Sequence, residues 1–392
     1  MSKARQLANL LDSDGDVTTG ALDNVPPSND ASALTTGILP VDRAPYLGRR
    51  NLIINGAMQV AQRGTSLSLT HGGSTNGYVA DRFQFVITGT ADSLDGTLAQ
   101  VSDAPDGYSN SLKWTTGTPE TTAADEAIYV QQKIEAQNLQ HLGYGSASAS
   151  SLTVSFWVKS SQTGTFAMSL YEPDGSRNIG TTYTINAANT WEQKTISFAG
   201  DTSGTINNDN GIGLQPIWHI AAGSDFNSAD NTSWGAYAGG RWAYGHVQNG
   251  VTETASATFQ ITGVQLEVGS VATPFEHRSY GEELALCQRY FHRASRGTIV
   301  GAYLDSNRID ATIHFPTTMR ATPTMSASSG TNYWYAYTGS LDYFNAWSGA
   351  GGASVNNGSM YVSSGEISGP DNAGCQIAFT TDNSYFQADA EL

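Results

Sequence analysis

Leu152-Thr-Val-Ser-Phe-Trp-Val158 decides how the chain is read. Leu152, Val154, Phe156 and Val158 recur at every second position, with Thr153, Ser155 and Trp157 between them. Side chains of an extended strand point alternately to opposite faces, so this spacing predicts a half-buried antiparallel strand. Working outward, similar runs lie between Gly/Ser/Asn/Asp clusters. They include Asn51-Leu-Ile-Ile-Asn55, Phe83-Gln-Phe-Val-Ile87, Thr165-Phe-Ala-Met-Ser-Leu-Tyr171, Thr182-Tyr-Thr-Ile185, Glu192-Gln-Lys-Thr-Ile-Ser-Phe198 and Ala257-Thr-Phe-Gln-Ile-Thr-Gly-Val-Gln-Leu266. Many short strands with few helices predict a mainly β protein whose body, residues 50–278, is a β-sandwich.

Composition agrees. Charged residues are 14% of the 392, Gly is 42, and Trp 8 with Tyr 18 supply enough ring surface for large cores. A net charge of −16 repels phosphate backbones, so nucleic acid is not an expected partner. After Arg320 there is no Lys or Arg, while Asp342, Glu366, Asp371, Asp382, Asp389 and Glu391 remain. That asymmetry suggests either simple solubility or an outward-facing tip that meets a cationic or metal-coated surface. Cys287 and Cys375 are too few and too far apart for a disulfide framework. Met1-Ser-Lys-Ala-Arg5 leads into no apolar signal segment, and no run of 18 apolar residues exists. A protein made in a cytoplasm, with no membrane insertion, is the expectation.

Three parts are expected. Residues 1–49 open with a short helical pattern, Ala4, Leu7 and Leu11 on one face with Leu10 beside it, and continue through Pro26, Pro27, Pro40 and Pro45 as an extended segment. So short a helix is marginal alone, which suits an anchor whose Leu7, Leu10 and Leu11 meet copies of the chain or a socket in a larger assembly. Residues 279–392 begin with a helix over Ser279–His292, where Ser279 and Glu282 fit a capping box and Tyr280, Leu284, Cys287 and Phe291 share a face. A smaller β-region follows, with Arg308-Ile-Asp-Ala-Thr-Ile-His-Phe315, Gly358-Ser-Met-Tyr-Val362 and Gln376-Ile-Ala-Phe-Thr380 as strands.

Several of these stretches together resemble a known group. Asn51-Leu-Ile-Ile-Asn-Gly-Ala-Met-Gln-Val-Ala-Gln-Arg-Gly64 followed by Tyr78-Val-Ala-Asp-Arg-Phe83 is similar to the opening of a domain recurrent in tailed-bacteriophage fibre and virion structural proteins. Ile261-Thr-Gly-Val-Gln-Leu-Glu-Val-Gly-Ser270 with Ala272-Thr-Pro-Phe-Glu276 resembles its closing strand, and Arg278-Ser-Tyr-Gly-Glu-Glu-Leu-Ala-Leu-Cys-Gln-Arg-Tyr-Phe291 the helix after it. Phe315-Pro-Thr-Thr-Met-Arg-Ala-Thr-Pro-Thr324 resembles an element of their C-terminal regions. Leu10-Leu-Asp-Ser-Asp-Gly-Asp-Val17 and Asn29-Asp-Ala-Ser-Ala-Leu-Thr-Thr-Gly37 resemble fibre heads, cyanophage-like ones among them. The resemblance implies a jelly-roll body akin to carbohydrate-binding modules, a homotrimer, a place on the virion among phage tail or capsid proteins, and attachment to a host surface glycan or protein. A connector or decoration protein without a receptor is the alternative, and a polysaccharide-degrading tailspike is the second.

Two aromatic stretches are candidates for ligand contact. Tyr333, Trp334, Tyr335, Tyr337, Tyr343, Phe344 and Trp347 place seven rings within 15 residues, and alternation sets Tyr333, Tyr335 and Tyr337 opposite Trp334. Flat rings stack on sugars and make rigid, low-entropy contacts. Trp218, Trp234 and Trp242, with Tyr237 and Tyr244, lie in Gly/Asn-rich sequence and either rim a groove or cap the sandwich. Asp12, Asp14 and Asp16 echo half of a calcium loop. Val17 stands where the sharp-turn Gly belongs and Asp23 is shorter than the usual Glu, so a solvated turn is expected there and no metal or cofactor. Seven scattered histidines show no metal spacing, and no nucleophile elbow or phosphate loop is present, so no catalytic residue is expected.

Overall fold

The computed structural model describes residues 49–392 apart from 71–74, 90–92, 296 and 382. The expectations for residues 1–48, including Leu7, Leu10, Leu11, Asp12, Asp14 and Asp16, lie outside the described residues. The body strands in chain order are β1 (Ser66–Thr70), β2 (Thr75–Tyr78), β3 (Gln84–Thr88), β4 (Asp95–Val101), β5 (Ser111–Thr116), β6 (Ala127–Gln131), β7 (Ile134–Glu135) and β8 (Leu152–Ser160). There follow β9 (Gly164–Glu172), β10 (Arg177–Ile185), β11 (Glu192–Phe198), β12 (Ile212–Ala222), β13 (Gly235–Ala236) and β14 (Thr258–Val268). They form two antiparallel sheets, β1-β4-β5-β14-β8-β11 and β13-β10-β9-β12-β6-β3-β2, and the chain repeatedly crosses from one to the other in a jelly-roll sandwich.

The core lies between these sheets. Leu152, Val154, Phe156 and Val158 from β8 are fully buried in it, as their spacing predicts. Each contributes about 1.5–3 kcal/mol by leaving water. Phe85 stacks on Trp114 across the layers at 4.4 Å, and Phe156 meets Trp218 edge-on at 5.9 Å.

Asn51–Asn55 is not a strand. Apart from Leu52, whose amide donates to the Leu266 carbonyl at 2.8 Å, its backbone amides find side-chain acceptors: Asn51 donates to Glu276 at 2.7 Å, Ile54 to Gln132 at 2.8 Å and Asn55 to Glu283 at 2.5 Å. The closing strand completes this knot. The Asn51 side chain donates to the Val264 carbonyl and accepts from the Leu266 amide, both at 3.0 Å. Gly263, at φ 59°, sits in the register break of β14, where a Cβ would strike the Tyr108 ring. The two sequence signatures therefore touch, and each supplies hydrogen bonds that the other lacks.

A helix, Tyr280–Gln288, follows, with the Ser279 hydroxyl accepting from the Glu282 amide at 3.3 Å. It is shorter than expected, because Phe291–Ala294 turns into strand β15 and pairs with Phe386–Asp389. Its buried side carries Glu283 and Cys287, continued by Tyr290 and Phe291, while Tyr280 is exposed. Glu283 is drawn inward by the Asn55 amide and by Arg278 at 3.5 Å, which displaces the expected apolar face.

The remaining strands are β16 (Thr298–Asp305), β17 (Arg308–His314), β18 (Thr324–Ala327), β19 (Trp334–Tyr337), β20 (Leu341–Phe344), β21 (Gly349–Ala353), β22 (Asn357–Ser363), β23 (Gly374–Phe379) and β24 (Phe386–Asp389). They form the sheet β20-β19-β23-β16-β17-β22-β21 and the small sheet β15-β24-β18 around a second core that includes Tyr303, Ile309, Met360, Ile377 and Trp334.

Between the cores runs a charged seam. Arg82 is buried, pairs with Glu391 and stacks over the Tyr290 ring at 3.4 Å. Arg63 reaches Asp389 and Glu391, each at 3.3 Å, and Arg289 holds Glu135 at 2.7 and 2.8 Å. Asp389 and Glu391 are thus held by upstream arginines and do not form an outward acidic tip. Asp342 and Glu366 likewise accept hydrogen bonds, from Tyr303 and Ser368 and from Asn345.

Candidate ligand-binding face

The large C-terminal sheet buries one face and bares the other. Along β19, Trp334 and Ala336 point into the core while Tyr335 and Tyr337 point away from it. Register extends the pattern across the sheet, because directly opposed residues share a face. One row runs Leu341, Tyr337, Gln376, Val300, Thr312, Ser359. The next runs Tyr343, Tyr335, Ala378, Thr298. Val300 is 73% exposed, Leu341 52%, Tyr337 46% and Tyr343 42%, so water covers what a second layer would otherwise cover. Tyr335 and Tyr343 meet edge-on at 5.9 Å, which fixes both rings.

A groove of about 730 Å³ lies over β16 and β17, with Thr298, Val300, Ala302, Asp310, Thr312 and His314 from the bare face among its lining residues. His292 of β15 and Phe379 contribute to it. Burial pushes the His292 imidazole down to about 4, so it is neutral at ordinary pH. Asp310 is engaged by Arg308 at 3.0 and 3.3 Å. Thr298, Thr312 and Gln376 make no side-chain hydrogen bond among the described residues and stay available to a ligand.

The body has a second aromatic cluster, on the outer face of the sheet containing β12. Tyr129 and His219 are in register there, and Ile217 opposes Gln131. Trp242 crosses this face and meets Tyr237 at 5.3 Å, Tyr171 at 5.4 Å, Tyr129 at 5.9 Å and His219 at 6.0 Å. It is 8% exposed, and Phe226 packs against the same cluster. His219, which shares a hydrogen bond with Ser169 at 2.8 Å, is held well below the ordinary imidazole range by burial. Here the rings close the face; Tyr237 reaches solvent, and Tyr171 and Phe226 do so in part.

The candidate rings therefore separate. Tyr337 and Tyr343 are exposed and Tyr335 is half-buried on the bare face. Trp218, Trp334 and Phe344 are core residues, and fully buried rings have no surface to offer a sugar. Tyr333 and Trp347 pack against the second core, Trp347 edge-on to Trp334 at 5.5 Å. Trp234 packs on Tyr144 at 5.7 Å and donates to the Ala199 carbonyl at 2.7 Å. Sequence reading missed Val300, Thr312, Gln376 and the groove, although the alternation of Thr298, Val300 and Ala302 in a strand carried the signal.

No family model and no curated protein matches the sequence. Solved structures similar in part include the enzymatically active domain of bacteriophage CBA120 tailspike protein 4, with TM-score 0.29 and 11% identity over 56% of this chain and 21% of that one. This chain thus spans about a fifth of that tailspike structure. Others are the family 11 carbohydrate-binding module of the Clostridium thermocellum cellulosomal cellulase Lic26A-Cel5E (0.26, 13%, 58% and 97%) and the tandem CBM22-1-CBM22-2 domain of Paenibacillus barcinonensis Xyn10C (0.25, 10%, 87% and 96%).

Proposed function

We propose that this chain is a phage virion fibre protein that attaches to a surface glycan through the bare face of its C-terminal sheet, as a homotrimer anchored by residues 1–49. The observation that carries the reading is three tyrosines, Tyr335, Tyr337 and Tyr343, held on one solvent-facing surface beside an open groove. Large apolar side chains grouped on a solvent-facing surface mark interaction sites, and Val300, Leu341, Tyr337 and Tyr343 are exposed on this face. The fibre assignment is supported by the opening and closing sequence signatures, which meet in space through Asn51, Val264 and Leu266. The reading involves binding without cleavage. Glycosidases place two carboxylates around the scissile bond, and the groove's Asp310 is already engaged by Arg308.

The test is retention of the full chain on immobilised bacterial surface polysaccharides, with its mass followed by sedimentation equilibrium. The triple variant Tyr335→Ala, Tyr337→Ala, Tyr343→Ala is expected to lose retention by more than about tenfold, equivalent to ~1.4 kcal/mol, and to keep a three-chain mass. Loss of the three-chain mass in this variant makes the face a contact between copies. A one-chain mass in the unaltered protein removes the trimer.

A further inference from the structure

We infer that the ligand of this face is an uncharged glycan, laid across the strands, and that polyanionic surface polymers are excluded. The inference rests on the reading of the face as a glycan site and names the class of glycan it takes.

Charge comes first. From residue 297 onward the only Lys or Arg residues are Arg308 and Arg320, against Asp305, Asp310, Asp342, Glu366, Asp371, Asp382, Asp389 and Glu391. Neither arginine is free. Arg308 is engaged by Asp310 and lies over the Tyr361 ring at 4.9 Å. Arg320 donates to the carbonyls of Ala390 and Asn210 at 2.8 Å and of Glu391 at 3.1 Å. A sulfate, phosphate or carboxylate entering the groove would lose water without gaining a described counter-charge, and the surrounding acidic field would oppose it. Besides the engaged Asp310 and the histidines His292 and His314, the groove offers the hydroxyls of Thr298 and Thr312, and the amide of Gln376 stands next to Val300 on the same face; all three groups match sugar hydroxyls. The rings of Tyr335 and Tyr337 and the side chain of Val300 suit the apolar C–H faces of a pyranose.

Geometry then sets direction. The row from Leu341 to Ser359 crosses six strands. At about 4.8 Å between neighbours it is roughly 24 Å long. Its rings lie at the β19–β20 end and its hydroxyls towards β17 and β22. A ligand using both must extend across the strands, and the groove volume of about 730 Å³ falls within the size of sites that enclose small organic ligands.

The test uses the full chain with unmodified dextran, mannan and β-glucan, and the sulfated derivative of each polymer, at low and high salt. At least one unmodified polymer is expected to bind with little salt dependence. Its sulfated derivative should bind at least about tenfold more weakly at low salt, with the gap narrowing as salt screens the repulsion. Tyr337→Ala and, separately, Gln376→Ala should each weaken the unmodified polymer severalfold while thermal unfolding stays unchanged. A sulfated polymer that binds more tightly, and is lost in Tyr337→Ala, overturns the uncharged class and leaves the site standing. Tighter sulfated binding that survives Tyr337→Ala overturns the class and moves the anion off this face. Binding indifferent to both face variants, or no binding of any polymer, overturns the reading of the face itself.

Discussion

The body sheet that contains β12 and the large C-terminal sheet each bury one face against a core, and they treat the other face in opposite ways. In the body, the long excursion between β12 and β14 lays Phe226 and Trp242 over Tyr129, Ile217 and His219, and the outer face becomes a second layer of packing. In the C-terminal sheet, the turns at residues 306–307 and 338–340 are too short to cross the sheet, and Val300, Tyr337 and Leu341 stay in water. The same amphipathic strand pattern thus gives a closed wall where the connection is long and a presenting surface where it is short. An antiparallel sheet tolerates either outcome. What differs is whether the protein itself covers the apolar side chains or leaves them in water.

Removing the body's lid is the strongest test of that contrast. Trp242→Ala deletes a ring that touches Tyr129, Tyr171, His219 and Tyr237 and leaves a space that strand side chains cannot fill. A loss of about 3–5 kcal/mol is expected from buried aromatic truncation, read from the denaturant midpoint of the full chain. A change below about 0.5 kcal/mol, the usual size for surface substitutions, would mean that the excursion is a loose flap and that both faces are open.

Much of this contrast was legible in the sequence, and its limits are instructive. The alternation around Trp334 separates inward from outward rings because β19 has a core on one side only. The same reasoning fails at Trp218, since β12 is covered on both faces and every residue from Gly213 to Ala222 is buried. Periodicity vanishes when a distant segment supplies the second cover. Asn51–Asn55 misleads for a related reason, as its amides are satisfied by side chains from Gln132 to Glu283 that no local pattern reveals. The acids at Asp389 and Glu391 look like a charged tip until Arg63 and Arg82, some three hundred residues earlier, are placed beside them.

A medium effect is expected from titration, and most of it belongs to the closed region. Glu172 at the end of β9 is buried, with one oxygen accepting from the Thr205 amide and the other lacking a partner. Burial, aided by nearby Asp201, raises its carboxyl from an ordinary 4.5 to about 7. Because the folded value is the higher one, the protonated acid favours folding, and that contribution fades as pH rises from about 4.5 through about 7. His246 behaves in the opposite sense. Burial lowers it from 6.5 to about 4, so its contribution is present above 6.5 and lost as pH falls towards 4. Glu172→Gln should therefore raise the Tm at pH above 7, by roughly 2–4 °C per kcal/mol relieved, and leave it unchanged near the ordinary carboxylate range. An equal gain at both pH values would assign the effect to packing and not to charge.

The smallest stability effect should come from the face offered for binding, and there two adjacent residues make the comparison sharp. Trp334 is fully buried against Phe379 at 4.8 Å and Trp347 at 5.5 Å, whereas Tyr335 next to it lies on the bare side against Tyr343. Trp334→Ala should cost about 3–5 kcal/mol. Tyr335→Ala removes one edge-on ring contact and some strand preference, so a loss of about 0.5–1 kcal/mol is expected. Chemical denaturation of the two variants side by side measures the difference. If Tyr335→Ala proved as damaging as Trp334→Ala, its ring would have to be covered in the folded protein. The bare face would then be a buried contact between copies of the chain, and glycan attachment would have to be sought elsewhere on the molecule.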